Sequence, residues 1–210
     1  MKQKYQLEDA FTLLELIVVI AIIAILSVFL VPNIMSGYKK SQINATRAEI
    51  GKLKGMVEQY QSRWGDYPAT SIIGFTDVDN TNQGVETLVA SLSNNANGGP
   101  FLEWDEKRYS NYDNDFTSQK TNWLFGDNQL REIIDVWRYP FIYFHCRDYE
   151  NYQRYSNYLV SIDSENKTFI AEPQRSSAIK VFHNPNSYQI WSIGPDGENG
   201  NGSGDDISNW

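Results

Sequence analysis

The stretch from Ser192 to Trp210 has the composition of a site for a hard metal ion. It holds five glycines and four acids, and no lysine or arginine follows Lys180. Glycine lets backbone carbonyls turn inward, and Ca²⁺ takes about six to eight oxygen ligands from carboxylates and carbonyls. The sequence therefore predicts a calcium-binding loop that Ile207 and Trp210 anchor to the core. A solvated acidic tail is the alternative.

Glu15 is the second candidate functional feature, because it is an acid inside the apolar segment from Phe11 to Pro32. A helix over residues 11–31 would be roughly 31 Å long, about the hydrocarbon thickness of a bilayer. An ionisable group there costs roughly 2.5–3.5 kcal/mol, so Glu15 needs a cationic partner from another chain or a chain terminus. A plain membrane anchor would leave Glu15 unexplained, and a signal peptide would need a small-residue cleavage site after the apolar run.

Enzymatic chemistry finds little support in the other titratable residues. His145 and Cys146 are adjacent, and on a strand their side chains would point to opposite faces, which excludes a dyad. His183 is expected to be a packing or surface residue, and Asp205 and Asp206 are too close in sequence for the opposed carboxylates of a glycosidase. Phosphate-loop, nucleophile-elbow and zinc spacings are absent from the sequence. We therefore expect that the protein is not an enzyme.

The composition indicates one membrane helix and one packed domain. The chain has 210 residues, a net charge of −8, and 6 Trp, 13 Tyr and 10 Phe. The acidic balance disfavours nucleic-acid binding, which needs a basic surface. A single cysteine, Cys146, cannot form an intramolecular disulfide.

The element that must position Glu15 is a long helix. Pro32 removes a backbone donor and is expected to kink this helix, which then resumes. Gly65 and Pro68 are expected to end it. The pattern predicts one helix of about 50 residues, membrane-spanning over residues 11–32 and amphipathic over residues 33–65. Its apolar face follows a helical period at Ile43, Ile50, Leu53, Val57, Tyr60 and Trp64.

A head domain is expected over residues 66–210. Together with the long helix it makes an α+β fold, in which the helix packs on a small antiparallel sheet. Residues 84–93 have the pattern of a short helix. Two stretches with alternating oxygen-bearing side chains, Asp77–Thr81 and Asn111–Asp115, lack the glycine and distal glutamate of an EF-hand and are interpreted as solvated turns. Short connections imply antiparallel pairing of the predicted strands. These strands are Asn157–Ile162, Thr168–Ala171, Ala178–Phe182 and Tyr188–Ile193.

The sequence Ala10-Phe11-Thr12-Leu13-Leu14-Glu15 resembles the processing site of type IV prepilins and type II secretion pseudopilins. The resemblance implies that residues 1–10 are a leader, which a prepilin peptidase removes before Phe11, and that the new amine is then N-methylated. It also implies that Glu15 pairs with the Phe11 amine of a neighbouring subunit and that Pro32 is the family's helix kink. Ala10 departs from the family, which usually has glycine before the cut.

Two further segments resemble the major pseudopilin of type II secretion. Residues 135–143, Asp-Val-Trp-Arg-Tyr-Pro-Phe-Ile-Tyr, resemble the segment that precedes its sheet, with Arg138 in place of glycine. Because arginine adopts positive φ less readily than glycine, a different turn is expected here. Residues 192–210 resemble its calcium loop. This resemblance implies Ca²⁺ ligands from Asp196, Asp205, Asp206 and a backbone oxygen near Ile193, with Glu198 and Ser203 as weaker candidates.

Together the resemblances imply a pseudopilin-like subunit of a periplasmic filament, anchored by one span in the bacterial inner membrane with a periplasmic head. The expected partners are the prepilin peptidase and N-methyltransferase, further copies of the subunit in a homopolymer, and the inner-membrane assembly platform. The alternatives are a type IV pilin for adhesion or motility and a membrane-tethered binding or enzymatic domain. The resemblance says nothing about the long segments 71–130 and 144–187.

Overall fold

The computed structural model describes residues 12–71, 80–103, 105–117, 124–162 and 165–210. The expected leader with its Ala10–Phe11 cleavage site and most of the Asp77–Thr81 stretch lie outside the described residues. The chain divides into two compact units, Met1–Ser41 and Gln42–Trp210.

One helix, α1 (Leu13–Trp64), passes from the first unit into the second. Its first half is apolar enough, and the helix long enough, to cross a membrane, and it is the one such helix in the described part of the chain. Two polar side chains of this half bond to the backbone of the preceding turn: Ser27 Oγ donates to the Ile23 carbonyl at 2.7 Å, and Asn33 Nδ2 donates to the Phe29 carbonyl at 2.8 Å. The helix continues through Pro32, as expected.

The second half of α1 buries one face in the head. Ile50, Leu53 and Val57 are buried on the expected stripe, and Thr46 joins them. Ile43 and Tyr60 are half-buried against the same core. Gly65 ends the helix with φ at 81°, where its amide still donates to the Gln61 carbonyl. The predicted amphipathic continuation is therefore confirmed.

The described residues of the head form a second α-helix and three small antiparallel sheets. Helix α2 is Gln83–Ser93, which confirms the predicted short helix. Strand β1 (Tyr109–Ser110) pairs with β2 (Glu132–Ile133), and β4 (Asn157–Ile162) pairs with β5 (Glu165–Ile170). The central sheet has the order β3-β6-β7, from Ile142–His145, Tyr188–Ser192 and Ile207–Ser208. Trp191, Tyr143 and Tyr158 are the largest fully buried side chains, so aromatic residues fill the core as the composition predicts. This arrangement is the expected α+β pilin fold.

One predicted strand is wrong. Residues 177–179 form a turn, and Arg175 and Phe182 meet only in an isolated antiparallel bridge. The turn is closed by the Lys180 amide donating to the Ser176 carbonyl, with Lys180 at φ 57°. Ile179 is 70% exposed, so this apolar stretch has no sheet to join.

The turn at Arg138 also differs from the expectation. Arg138 adopts φ 71°, the left-handed conformation that glycine takes most easily. Two hydrogen bonds hold this turn in place. The Arg138 amide donates to the Asp135 carbonyl, and the Tyr112 hydroxyl donates to the Arg138 carbonyl at 2.7 Å. These bonds therefore hold arginine in a conformation that costs an L-residue roughly 1–2 kcal/mol.

Replacing Arg138 with glycine is expected to stabilise the chain by about 0.5–1 kcal/mol, because glycine removes the left-handed penalty but loses more backbone entropy on folding. Denaturant unfolding of the purified chain in detergent measures the change. Arg138→Ala is the control, since alanine keeps the Cβ and should give no gain. An equal gain from alanine would assign the effect to the arginine side chain instead of the backbone.

Candidate functional site

Glu15 lies in the first turn of α1 and closes a capping box with Thr12. The Thr12 amide and hydroxyl donate to Glu15 Oε2 at 2.9 and 2.7 Å, and the Glu15 amide donates to Thr12 Oγ1 at 3.2 Å. The apolar side chains around it are exposed, with Leu13 and Leu14 above 70%. The structure therefore presents an acid in the first turn of an uncovered apolar helix.

The C-terminal loop, residues 192–210, is shaped by residues in the left-handed conformation. Gly194, Gly197, Gly202 and Gly204 have φ between 70° and 77°. The loop folds back on itself, since a Cβ on Gly194 would lie 2.5 Å from the Asp205 carbonyl oxygen. Glycine is thus required where two backbone segments of the loop touch.

Asparagine and tryptophan side chains fasten this loop to the core. Asn199 Oδ1 accepts from the Trp191 indole at 3.1 Å, while Asn199 Nδ2 donates to the Ile170 carbonyl at 3.0 Å. Asn201 Oδ1 accepts from the Glu172 amide at 2.9 Å. Trp210 packs edge-on against Trp191 with ring centres 5.8 Å apart. Trp210 and Ile207 therefore contact the core, as the sequence suggested for the loop's anchors.

Asp206 is the most enclosed acid of this loop. Its Oδ2 accepts from the Gly202 amide at 2.7 Å, while its buried Oδ1 has no hydrogen-bond partner in the described part of the chain. Burial, followed by the charges of Asp205 and Asp196, raises the pKa of Asp206 to about 6. The three aspartates are thus close enough to repel one another, which is the electrostatic setting that a cation relieves.

The other expected ligands differ in their exposure, and Asp205 is partly buried. Asp196, Glu198 and Ser203 are exposed, and Ile193 is buried. Asp196 Oδ1 accepts from the Glu198 amide at 2.9 Å, and the Ser203 hydroxyl donates to the Gly200 carbonyl at 2.5 Å. Asp196, Asp205 and Asp206 do not each place one carboxylate oxygen within 4.8 Å of the other two.

Replacing Gly194 with alanine is expected to destabilise the head by about 2–4 kcal/mol, because the new methyl group would overlap the Asp205 carbonyl and strain a positive-φ residue. Gly204→Ala is the matched control, with φ 73° and nothing within 4 Å of the added Cβ. It should show the backbone penalty alone, about 1 kcal/mol, in the same unfolding experiment. Equal losses from both variants would contradict the close approach of residues 194 and 205.

The structure brings together an acidic cluster that the sequence did not predict. Carboxylate oxygens of Glu86, Asp113 and Glu132 all lie within 4.8 Å of one another. The expectation of a solvated turn at Asn111–Asp115 is wrong for Asp113, whose carboxylate oxygens are buried. The three acids come from separate stretches of the chain, so no local spacing in the sequence predicts the cluster. The sequence offers one indication, which is the acid Glu132 next to the apolar residues Ile133 and Ile134.

His145 and Cys146 do not form a catalytic pair. They are closer than expected, with Sγ and Nδ1 3.8 Å apart, because β3 ends at His145 and a 3₁₀ segment begins at Cys146. The expectation of opposite faces is therefore wrong. However, His145 Nδ1 accepts from the Arg147 amide at 3.0 Å, Nε2 lies 3.1 Å from Asp66 Oδ1, and burial raises the pKa of the Cys146 thiol. A thiol with a raised pKa beside an already bonded imidazole is not an activated nucleophile.

Comparison with known proteins identifies the N-terminal region. Residues 8–31 match the prokaryotic N-terminal methylation motif. Three relatives named type II secretion system core protein G are similar: that of Vibrio cholerae is 30% identical over 92 residues, covering 44% of this chain and 56% of the relative. The Klebsiella pneumoniae protein is 31% identical over 88 residues, which cover 42% of this chain and 55% of the relative. The Escherichia coli protein is 35% identical over 82 residues, which cover 39% of this chain and 49% of the relative.

The motif, the long helix that carries it and the antiparallel head make the chain similar to one class of proteins, the type IV pilin-like proteins. Within that class, it is similar to the relatives named type II secretion system core protein G. The chain spans about half the length of the curated relatives it matches. No solved structure matches it. The apolar half of α1 and this class together indicate a single-pass membrane anchor.

Proposed function

We propose that this chain is a structural subunit of a periplasmic filament of a type II protein secretion system. The observation that carries the proposal is Glu15 at the tip of an exposed apolar helix, inside the matched methylation motif. Removal of residues 1–10 and N-methylation at Phe11 would place a cationic amine beside the apolar helix. In a filament this amine meets Glu15 of the next subunit and fixes the register between the helices.

The partners follow from this role. A prepilin peptidase and N-methyltransferase processes the chain at Ala10 and Phe11, an inner-membrane assembly platform receives it, and further copies add as a homopolymer. The head then faces the periplasm. The role is structural, without catalysis, which agrees with the inactive setting of His145 and Cys146.

Electron microscopy of sheared cell fractions tests this role. The chain is expressed with a complete type II secretion machinery, and filaments are labelled with antibody against the head. We expect labelled filaments that disappear when the chain is omitted. Processed chain that stays dispersed in the membrane, without any labelled filament, would overturn the proposal in favour of a membrane-tethered domain.

We also propose that Ca²⁺ rigidifies the C-terminal loop. Asp206 supports this part, because its buried Oδ1 lacks a hydrogen-bond partner in the described structure while glycines let neighbouring carbonyls approach. Asp196 and Asp205 would supply further carboxylate oxygens and residue 193 its carbonyl. Glu198 and Ser203 are the weaker ligands, since both are exposed. The loop would tighten around the ion, since the three aspartates do not each place one carboxylate oxygen within 4.8 Å of the other two.

Calcium is expected to raise the thermal unfolding midpoint of the chain relative to the same sample in chelator, because a ligand at about 100 times its Kd adds about 2.7 kcal/mol. Asp206→Asn should lose the part of this rise that comes from the loop. Glu165→Gln, which removes an exposed charge on β5, is the control and should keep the full rise. A full calcium response in Asp206→Asn would count against a loop site.

A further inference from the structure

The acidic cluster of Glu86, Asp113 and Glu132 lies apart from the C-terminal loop and joins three elements of the head. Glu86 is in the first turn of α2, Glu132 is on β2, and Asp113 is in the segment that follows β1. One carboxylate oxygen from each of the three lies within 4.8 Å of the other two. Two oxygens on opposite sides of one Ca²⁺ ion are about 4.6–5.2 Å apart, since each lies about 2.3–2.6 Å from the ion. The spacing therefore suits one shared cation.

Glu132 supplies an independent sign of a missing ligand. The residue is 0% exposed. Its Oε1 accepts from Asn82 Nδ2 at 2.8 Å and from the Tyr112 amide at 3.2 Å, whereas Oε2 has no hydrogen-bond partner among the described residues. A buried carboxylate oxygen without a partner is costly, and a cation at Oε2 removes that cost.

The buried position of Glu132 beside another acid disfavours its charged form. Burial, followed by the charge of Asp113, raises the pKa of Glu132 to about 8. The arginine next to it in sequence, Arg131, is engaged elsewhere, because its two guanidinium nitrogens each donate to Asp127 at 2.7 Å. Arg131 therefore does not neutralise the carboxylates of the cluster.

The framework around Glu132 is fixed before any ion arrives. Asn82 is fully buried, with φ 51°, and its Oδ1 accepts from the Leu159 amide at 2.9 Å. Its own amide donates to the Asn157 carbonyl at 2.9 Å. Asn82 thus ties the start of α2, strand β4 and Glu132 together. A cation binds more tightly to oxygens that are already held in place.

We propose that Glu86, Asp113 and Glu132 form a second divalent-cation site, and that its preferred ion is Ca²⁺. All three donors are carboxylates, which favour a hard cation over zinc or copper. Carboxylates can bind Ca²⁺ through one or both oxygens, so three of them with water complete its coordination. The ion fastens α2 and the segment after β1 to β2. This inference is independent of the proposed loop site and of the filament role.

Calcium titration of the full-length chain in detergent tests the site, with Asp206→Asn as the background so that the C-terminal loop does not contribute. Isothermal titration calorimetry with CaCl₂ should show one bound Ca²⁺ per chain. Adding Glu132→Gln should weaken this binding by about 100-fold or more, because one charged ligand is lost from a small site. Adding Glu103→Gln, an exposed acid of the same region, should leave the binding unchanged.

Asp113→Asn keeps the test decisive if Glu132→Gln fails to fold, because Asp113 is only partly buried. It should also weaken Ca²⁺ binding while leaving the far-ultraviolet circular dichroism spectrum unchanged. Magnesium chloride should compete at least about tenfold less well than calcium, since Mg²⁺ demands a tighter octahedral shell. The proposal is overturned if the folded Asp206→Asn chain binds no Ca²⁺, or if binding survives both Asp113→Asn and Glu132→Gln.

Discussion

Replacing Glu15 with glutamine is expected to abolish filament assembly while leaving processing and membrane insertion intact. Glutamine keeps an oxygen that can accept from the Thr12 amide, so the start of α1 is retained. It removes the charge that would pair with the Phe11 amine of the next subunit. Breaking such a pair in an apolar setting costs about 3–5 kcal/mol per contact, more than about 100-fold in assembly affinity.

The measurement is the amount of chain recovered in sheared filaments relative to the membrane fraction. Glu58→Gln is the matched control, because Glu58 is an exposed acid further along the same helix. It should assemble like the wild type. If Glu15→Gln assembles normally and the control does too, the Glu15 carboxylate does not set the register.

Replacing Asp135 with alanine is expected to destabilise the head by about 3–5 kcal/mol, because three donors lose their acceptor in the interior. The amides of Trp137 and Tyr139 donate to Asp135 Oδ1 at 2.9 Å, and the Ser192 hydroxyl donates to Oδ2 at 2.5 Å. These bonds hold the turn at Arg138 against the central sheet. Denaturant unfolding in detergent measures the loss, and Ser192→Ala, which removes one donor, should cost less than half as much.

Asp135 also predicts a pH dependence. Burial raises the pKa of Asp135 to about 6, although hydrogen bonds from the Ser192 hydroxyl and from three backbone amides lower it. A folded-state pKa above the unfolded one gives a contribution to stability that is fully present below about pH 4 and is lost as the pH rises through 6. Relative to Asp135→Asn, the wild type should therefore become less stable between pH 4 and pH 7. A difference that is flat across this range would contradict the burial of a titrating carboxyl group at this position.

The sequence predicted those parts of the fold that depend on periodicity. The stripe from Ile43 to Tyr60, the end of α1 at Gly65 and strand β4 at Asn157–Ile162 follow from local patterns and were found. The predicted strand at Ala178–Phe182 failed because apolar residues alone do not make a strand without a neighbouring sheet edge. Arg138 shows the same limit, since tertiary hydrogen bonds override its preference for negative φ.

The candidate sites divide in the same way. Residues 192–210 could be singled out because their glycines and acids are contiguous in sequence, and the structure shows why Gly194 is needed there. The cluster of Glu86, Asp113 and Glu132 is formed only when α2 and β2 pack together, so its members look unrelated in the chain. Sequence spacing predicts sites made by one segment, whereas sites assembled by packing require the structure.

The central claim is that this chain is processed for assembly at Phe11, and the mass of its N-terminus tests that claim most directly. The chain is produced beside an active prepilin peptidase and analysed by intact-mass measurement and N-terminal peptide sequencing. We predict a chain that begins at Phe11 with a methylated amine. A chain that retains residues 1–10 while a control prepilin in the same cells is cleaved would contradict the account.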